Sequence, residues 1–167
     1  MAIGAGDWPE SFAAWGTTFP PGEQRIAQLE EAIDALKKLW TGQPVSQVGA
    51  HLRLDGAIST PSPARPPRIV IGVGRSRRVL ARAVSFADEI NLYDDAELIR
   101  QARELVASAA RTISLSVFLS WEWENWPPDP EAEFARLAAD GVDRAFVTVA
   151  APDMIGRVER LAMLTDH

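Results

Sequence analysis

The chain has 167 residues, 17 of them basic and 23 acidic, for a net charge of −6, and 47% are hydrophobic. That length suits a single domain, here 1–167, with a core of its own. The absence of cysteine excludes disulfides and thiolate metal sites. The two histidines belong to no cluster with metal-ligand spacing, so no metal is expected. No long basic run is present, which argues against a nucleic-acid or anionic-membrane partner. No apolar run reaches membrane-spanning length, and the N-terminus lacks a signal-type core, so a cytoplasmic protein is expected.

In chain order, Ala2–Ala5 reads as a short strand. Ile26, Leu29, Ile33, Leu36 and Trp40 are spaced by three and four, which predicts a helix with one apolar face, stopped by Gly42. The Pro-rich stretch 43–67 reads as a surface insertion with a hairpin, Val45–Val48 against His51–Leu54. Arg68–Val73 is the next core strand, and Val79, Leu80, Ala83, Val84 and Ala87 mark the following helix. Glu89–Leu92 is a third strand, and the Asp94-Asp95 pair opens a helix carrying Leu98, Ile99, Ala102, Leu105 and Val106. Thr112–Leu119 alternates Ile113, Leu115, Val117 and Leu119 as a strand does. Asp129 and Pro130 stand at the cap and first position of a helix that ends at Gly141. Arg144–Val149 is a fifth strand, and a last helix covers about Pro152–Leu164.

Alternating strands and helices imply an α/β fold with parallel pairing and right-handed crossovers. An open five-stranded sheet and part of a (β/α)8 barrel both fit. In either, ligands meet the loops after the carboxyl ends of the strands. Those loops are Gly6–Pro21, Gly72–Ser76, Tyr93–Asp95, Ser120–Asp129 and Ala150–Asp153.

Two of these loops carry recognisable chemistry. Gly72-Val73-Gly74-Arg75-Ser76 lies between an apolar strand and a helix start. Backbone N–H groups there face an anion, and Arg75 and Ser76 add charge and a hydroxyl, so a phosphate is the expected ligand. A plain strand-to-helix turn is the alternative. Ser120–Pro128 holds Trp121, Trp123 and Trp126, half of the six tryptophans. Trp121, Glu122 and Trp123 read as a substrate-pocket wall over a flat ring, or as a Pro-braced cover for a core edge or an interface patch in an oligomer. Trp8, Phe12, Trp15 and Phe19 on the first loop read as ordinary buried residues, with a pocket wall as the alternative, and His51 as a surface hairpin residue. No Ser/His/Asp or Cys/His nucleophile set is visible.

In order, Ile3-Gly4-Ala5-Gly6, Phe12, Trp15-Gly16, Phe19-Pro20-Pro21, Arg25 through Glu30-Glu31 to Leu39-Trp40, Ile69–Gly74, Phe86-Ala87-Asp88 to Asn91, and Gly141-Val142-Asp143 resemble the luciferase-like monooxygenases. Those are flavin- or deazaflavin-dependent (β/α)8 barrels. The resemblance implies a partial TIM barrel of about five parallel βα units, corresponding to the last five and lacking the first three. It implies a flavin- or deazaflavin-dependent oxidoreductase or monooxygenase acting on a small organic substrate. Coenzyme F-420, a deazaflavin, is expected rather than FMN. The cofactor phosphate would lie at Gly72, Val73, Gly74, Arg75 and Ser76. Asp7 matches the position of a proton-transfer glutamate in the F-420-using sugar-phosphate dehydrogenases; capping a local turn is its other reading. Glu89 stands where the family has a glycine. Open strand edges imply a homodimer or higher oligomer. The alternative is a non-catalytic, truncated remnant or a fragment that binds cofactor weakly or only oligomerises.

Overall fold

The structure, a computed structural model, describes residues 1–122, 125–150 and 152–164. The chain divides into two compact units, Met1–Gly72 and Val73–His167, each described by itself. The elements follow the order β1 (Ala2–Gly4), α1 (Pro9–Ala14), α2 (Gly22–Leu39), β2 (Val45–Val48), β3 (Arg53–Ala57), β4 (Val70–Gly74), α3 (Arg77–Ala83), β5 (Glu89–Tyr93), α4 (Ala96–Ala107), β6 (Ser114–Glu122), α5 (Pro130–Ala139), β7 (Arg144–Ala150) and α6 (Met154–Met163). Apart from the hairpin, every strand leads into a helix, as the alternating pattern requires.

In the first unit β1 pairs parallel with β4, Ile3 opposite Ile71 and Gly4 opposite Gly72. A Cβ on Gly4 would come 3.2 Å from the Gly72 carbonyl, so the close approach favours glycine there. The apolar stripe of α2 buries Ile26, Leu29 and Ile33, each below 5% exposed. Gly42 ends that segment at φ +71°, a conformation only glycine adopts cheaply.

The insertion forms its hairpin, but the second strand begins at Arg53 rather than His51, with Val48 opposite Arg53. The reason lies on α2. The Glu31 carboxylate accepts from the backbone N–H groups of His51 and Leu52, at 2.9 and 3.1 Å. Those two residues are thereby drawn into the turn. A Cβ on Gly49 would fall 1.4 Å from Glu31 Oε1, so a side chain there would push this carboxylate off the turn it holds.

In the second unit β5, β6 and β7 pair parallel in that order. Ile90, Leu92, Leu115, Val117 and Leu119 are nearly inaccessible, and Leu80, Ile99 and Leu137 of the helices are buried as well. Parallel strands need both faces covered, and β6 buries neighbouring residues Leu115, Ser116 and Val117 on opposite faces. The caps fall where expected: Asp95 accepts from Leu98 N–H and Asp129 from Ala132 N–H. Asp94 does not cap; it pairs with Arg136 of α5 at 2.6 Å.

Gly141, Val142 and Asp143 connect α5 to β7. Gly141 turns the chain at φ +77°, and Val142 is buried. Asp143 grips Leu115 twice: its Oδ2 accepts from Leu115 N–H at 2.8 Å, and its own N–H donates to Leu115 O at 2.9 Å. Replacing Asp143 by alanine orphans the Leu115 N–H, and a loss of about 1–3 kcal/mol is expected in urea unfolding, with Asp143→Asn losing less because its amide oxygen still accepts.

Candidate functional site

The β4–α3 turn is built from the end of a buried strand. Ile71 and Val73 point into the core at 0% and 4% exposure. β4 runs on to Gly74, so Gly72 and Val73 are strand residues and the turn proper is Arg75-Ser76. The Val73 side chain is therefore committed to packing. Gly74 adopts φ +56°, and a Cβ there would come within 3.6 Å of the Tyr93 ring.

Ser76 caps α3. Its Oγ accepts from Val79 N–H at 3.3 Å, and its own N–H donates to Val73 O at 2.8 Å. Its hydroxyl proton is what it can still give to a ligand, while its amide belongs to the turn. Arg75 is exposed, with its guanidinium 5.5 Å from the centroid of the Tyr93 ring. Tyr93 in turn meets Phe118 edge-on at 6.0 Å. Gly74, Arg75, Ser76 and Tyr93 thus come together at the carboxyl ends of β4 and β5. Tyr93 opens one of the loops expected to meet ligand, but its contact with the β4–α3 turn is made only by the fold.

The first loop is organised by Arg25 of α2. Its guanidinium donates to the carbonyls of Ala5 and Gly6, both at 3.2 Å, and of Pro20 at 2.6 Å. It also lies 3.9 Å from the Phe19 ring centroid, and Phe19 meets Phe12 edge-on at 5.0 Å. Both ends of the loop are therefore fastened to one side chain. Asp7 sits beside this anchor and is exposed. It does not cap α1: Trp8 is the N-cap residue and no side chain bonds there. Trp8 and Trp15, expected to be buried, are 66% and 82% exposed. Phe12 and Phe19 are half-buried against each other, with Arg25 over the Phe19 ring.

At the other end of the second unit, β6 continues three residues beyond its expected end. Trp121 and Glu122 are strand residues, opposite Val149 and Ala150 of β7. Trp121 is 7% exposed, stacked on Phe134 of α5 at 5.2 Å and edge-on to Trp126 at 5.6 Å. It is part of the packing under the strand end. Glu122 is half-buried beside it, and Trp123 lies outside the described residues. Among the described residues, no group of three or more His, Cys, Asp or Glu forms a metal site, and no helix is long and apolar enough to cross a membrane.

The family model for luciferase-like monooxygenases matches residues 1–120, and the chain belongs to that family. The F420-dependent glucose-6-phosphate dehydrogenase of Nakamurella multipartita is 37% identical over 57 residues, 34% of this chain and 17% of that protein. The enzyme of the same name from Kineococcus radiotolerans is 32% identical over 74 residues, covering 44% and 22%. The matched stretch thus spans about a fifth of these relatives. Among solved structures, an F420-dependent secondary alcohol dehydrogenase in complex with an F420-acetone adduct superposes over 98% of this chain and 67% of its own, with a TM-score of 0.80 at 13% identity. Monooxygenase RslO1 from Streptomyces bottropensis covers 98% and 51%, with a TM-score of 0.57 at 17% identity. Of the two architectures that alternation allowed, these neighbours select the second: the fold is α/β, five parallel βα units of a (β/α)8 barrel that does not close.

Trp121 is expected to act through packing. Trp121→Ala should cost about 3–5 kcal/mol in denaturant unfolding, the range for emptying a large aromatic site, whether or not cofactor is added.

Proposed function

We propose that this chain binds coenzyme F-420 and serves hydride transfer to or from a small organic substrate, as a dehydrogenase rather than a monooxygenase. The observation that carries this reading is the β4–α3 turn, a left-handed glycine followed by an arginine and a capping serine. It occurs in a chain whose relatives are named F420-dependent dehydrogenases. FMN is the less favoured cofactor.

The turn suits a phosphate. Gly74 offers backbone without a Cβ, Arg75 offers an exposed guanidinium, and Ser76 offers a hydroxyl proton. These three residues would hold the cofactor phosphate, with Gly72 and Val73 supporting them from the strand. A bound deazaflavin supplies the hydride chemistry. The protein supplies orientation, exclusion of water and a proton. Asp7 is the proton-handling candidate: its carboxylate is at the end of β1, beside a loop that Arg25 holds in place. Of the pocket residues the sequence suggested, Glu122, half-buried at the end of β6, would border the substrate, with Trp121 packed beneath it. β7 pairs on one side only among the described residues, which supports a homodimer or higher oligomer. The second reading is a chain that binds cofactor without turnover. It is supported by the exposure of Asp7, whose carboxylate no described side chain fixes.

Titration of the purified chain with F-420 and with FMN, followed by fluorescence with light scattering on the same sample, tests both readings. Micromolar F-420 binding, tighter than FMN, is expected, and Arg75→Ala should weaken it about 10-fold, or ~1.4 kcal/mol. Asp7→Asn should leave the affinity unchanged and lower turnover by about 100-fold or more. Binding with no turnover by the unaltered chain selects the second reading, and no binding of either cofactor overturns the first.

A further inference from the structure

We propose that Arg157 and Trp126 form an oxyanion-binding site at the carboxyl end of β6 and β7, taking a carboxylate or phosphate group of a small-molecule ligand. This deepens the substrate-pocket reading above and rests on it.

Four side chains from separate segments meet there. Trp121 ends β6, Trp126 lies in the loop that follows, Phe134 is on α5, and Arg157 is in the first turn of α6. The aromatic groups hold one another, with Trp121 stacked on Phe134 and edge-on to Trp126. The guanidinium carbon of Arg157 lies 4.8 Å from the centroid of the Trp126 ring. Its Nη1 is buried and donates no hydrogen bond. A charged N–H withdrawn from water without an acceptor costs about 1–3 kcal/mol or more. A ligand oxygen removes that cost.

Among the described residues no carboxylate supplies it. Asp153, one turn earlier, is spent on the helix cap, its Oδ1 accepting from Gly156 N–H at 3.3 Å. Glu122 is half-buried at the end of β6. With one face against the indole, the guanidinium keeps its edge for recognition. A planar fork of N–H donors matches the two oxygens of a carboxylate or phosphate. The place agrees with the chemistry, because the register sets Trp121 opposite Val149 and Glu122 opposite Ala150. That brings both strand ends to the face where α/β folds bind ligands.

The test follows the Trp126 indole Nε1–H resonance and tryptophan fluorescence while the full chain is titrated with sodium phosphate or sodium acetate, at an ionic strength fixed with sodium chloride. A saturable response is expected, weakened about 10-fold or more in Arg157→Gln, or ~1.4 kcal/mol. A stronger response to phosphate assigns a phosphoryl ligand, and a stronger response to acetate a carboxylate. Arg157→Lys keeps the charge and loses the fork, so it should bind several-fold more weakly; it is the deciding variant if circular dichroism shows Arg157→Gln unfolded. No saturable response to either anion, or wild-type response in the folded variant, overturns the proposal. F-420 titration of the same samples separates the two readings. An anion response without F-420 binding removes the cofactor reading alone. F-420 binding without an anion response removes this site alone.

Discussion

The register of β6 against β7 hangs on one carboxylate. Asp143 takes the N–H of Leu115 and returns its own N–H to the Leu115 carbonyl. With Gly141 reversing the chain just before it, β7 can start only one way against β6. A slip of one residue would turn every side chain of β7 to the wrong face. Everything at the carboxyl end follows from this choice. Trp121 meets Val149 and Glu122 meets Ala150, and the segments bearing Trp126 and Arg157 leave the strands at one level. A tie at the amino end of two strands thus determines which residues gather at the opposite end.

The helices were legible because their information is local. Ile26, Leu29 and Ile33 declared the face of α2 by spacing alone, and all three are buried. Asp95 and Asp129 announced their helices because a cap acts within three residues of itself. The end of β6 was less legible, although the signal existed. Trp121 continues the odd-numbered alternation of Leu115, Val117 and Leu119, and all four are buried. The three tryptophans and following prolines suggested a loop, but only the part after Glu122 leaves the strand. Composition outweighed periodicity in that expectation, whereas packing against Phe134 decided the outcome.

The arginines were the least legible residues, for a physical reason. A guanidinium works at the end of a long side chain and meets groups far away in sequence. Arg25 binds carbonyls at both ends of the loop before its helix and stacks on Phe19. Arg136 joins α5 to the loop after β5 through Asp94. Arg75 leans on Tyr93, and Arg157 on Trp126. No spacing rule predicts these partners, because the strands and register must exist before the contacts do. The β4–α3 turn shows the converse. Its glycine and serine were readable as an anion cradle, but Ser76 already spends its amide and its oxygen lone pair within the turn. A motif lists donors, and only the fold shows which remain available.

Glu89 completes the contrast between the two ends of the second unit. It is buried at 1% exposure, with Arg144 Nη1 3.7 Å from its Oε2. Glu89 begins β5 and faces Ser114 of β6, while Arg144 begins β7. The pair therefore spans all three strands at their amino ends. Asp143 and Arg144, adjacent in sequence, fasten β7 to β6 and to β5 respectively. A charge removed from water is tolerable where its partner is fixed, and destabilising where it is not. That logic suits an end devoted to holding strands together. At the carboxyl end the polar groups are arranged differently: Arg75 rests on Tyr93 and Arg157 on Trp126, each cation beside a ring rather than a carboxylate. An arginine held by an aromatic face keeps its charge and its N–H groups for something else, whereas one neutralised by a carboxylate does not. The charges at the amino ends hold strands to one another, whereas at the carboxyl ends Arg75 and Arg157 lie beside rings and Asp94 ties the loop after β5 to α5.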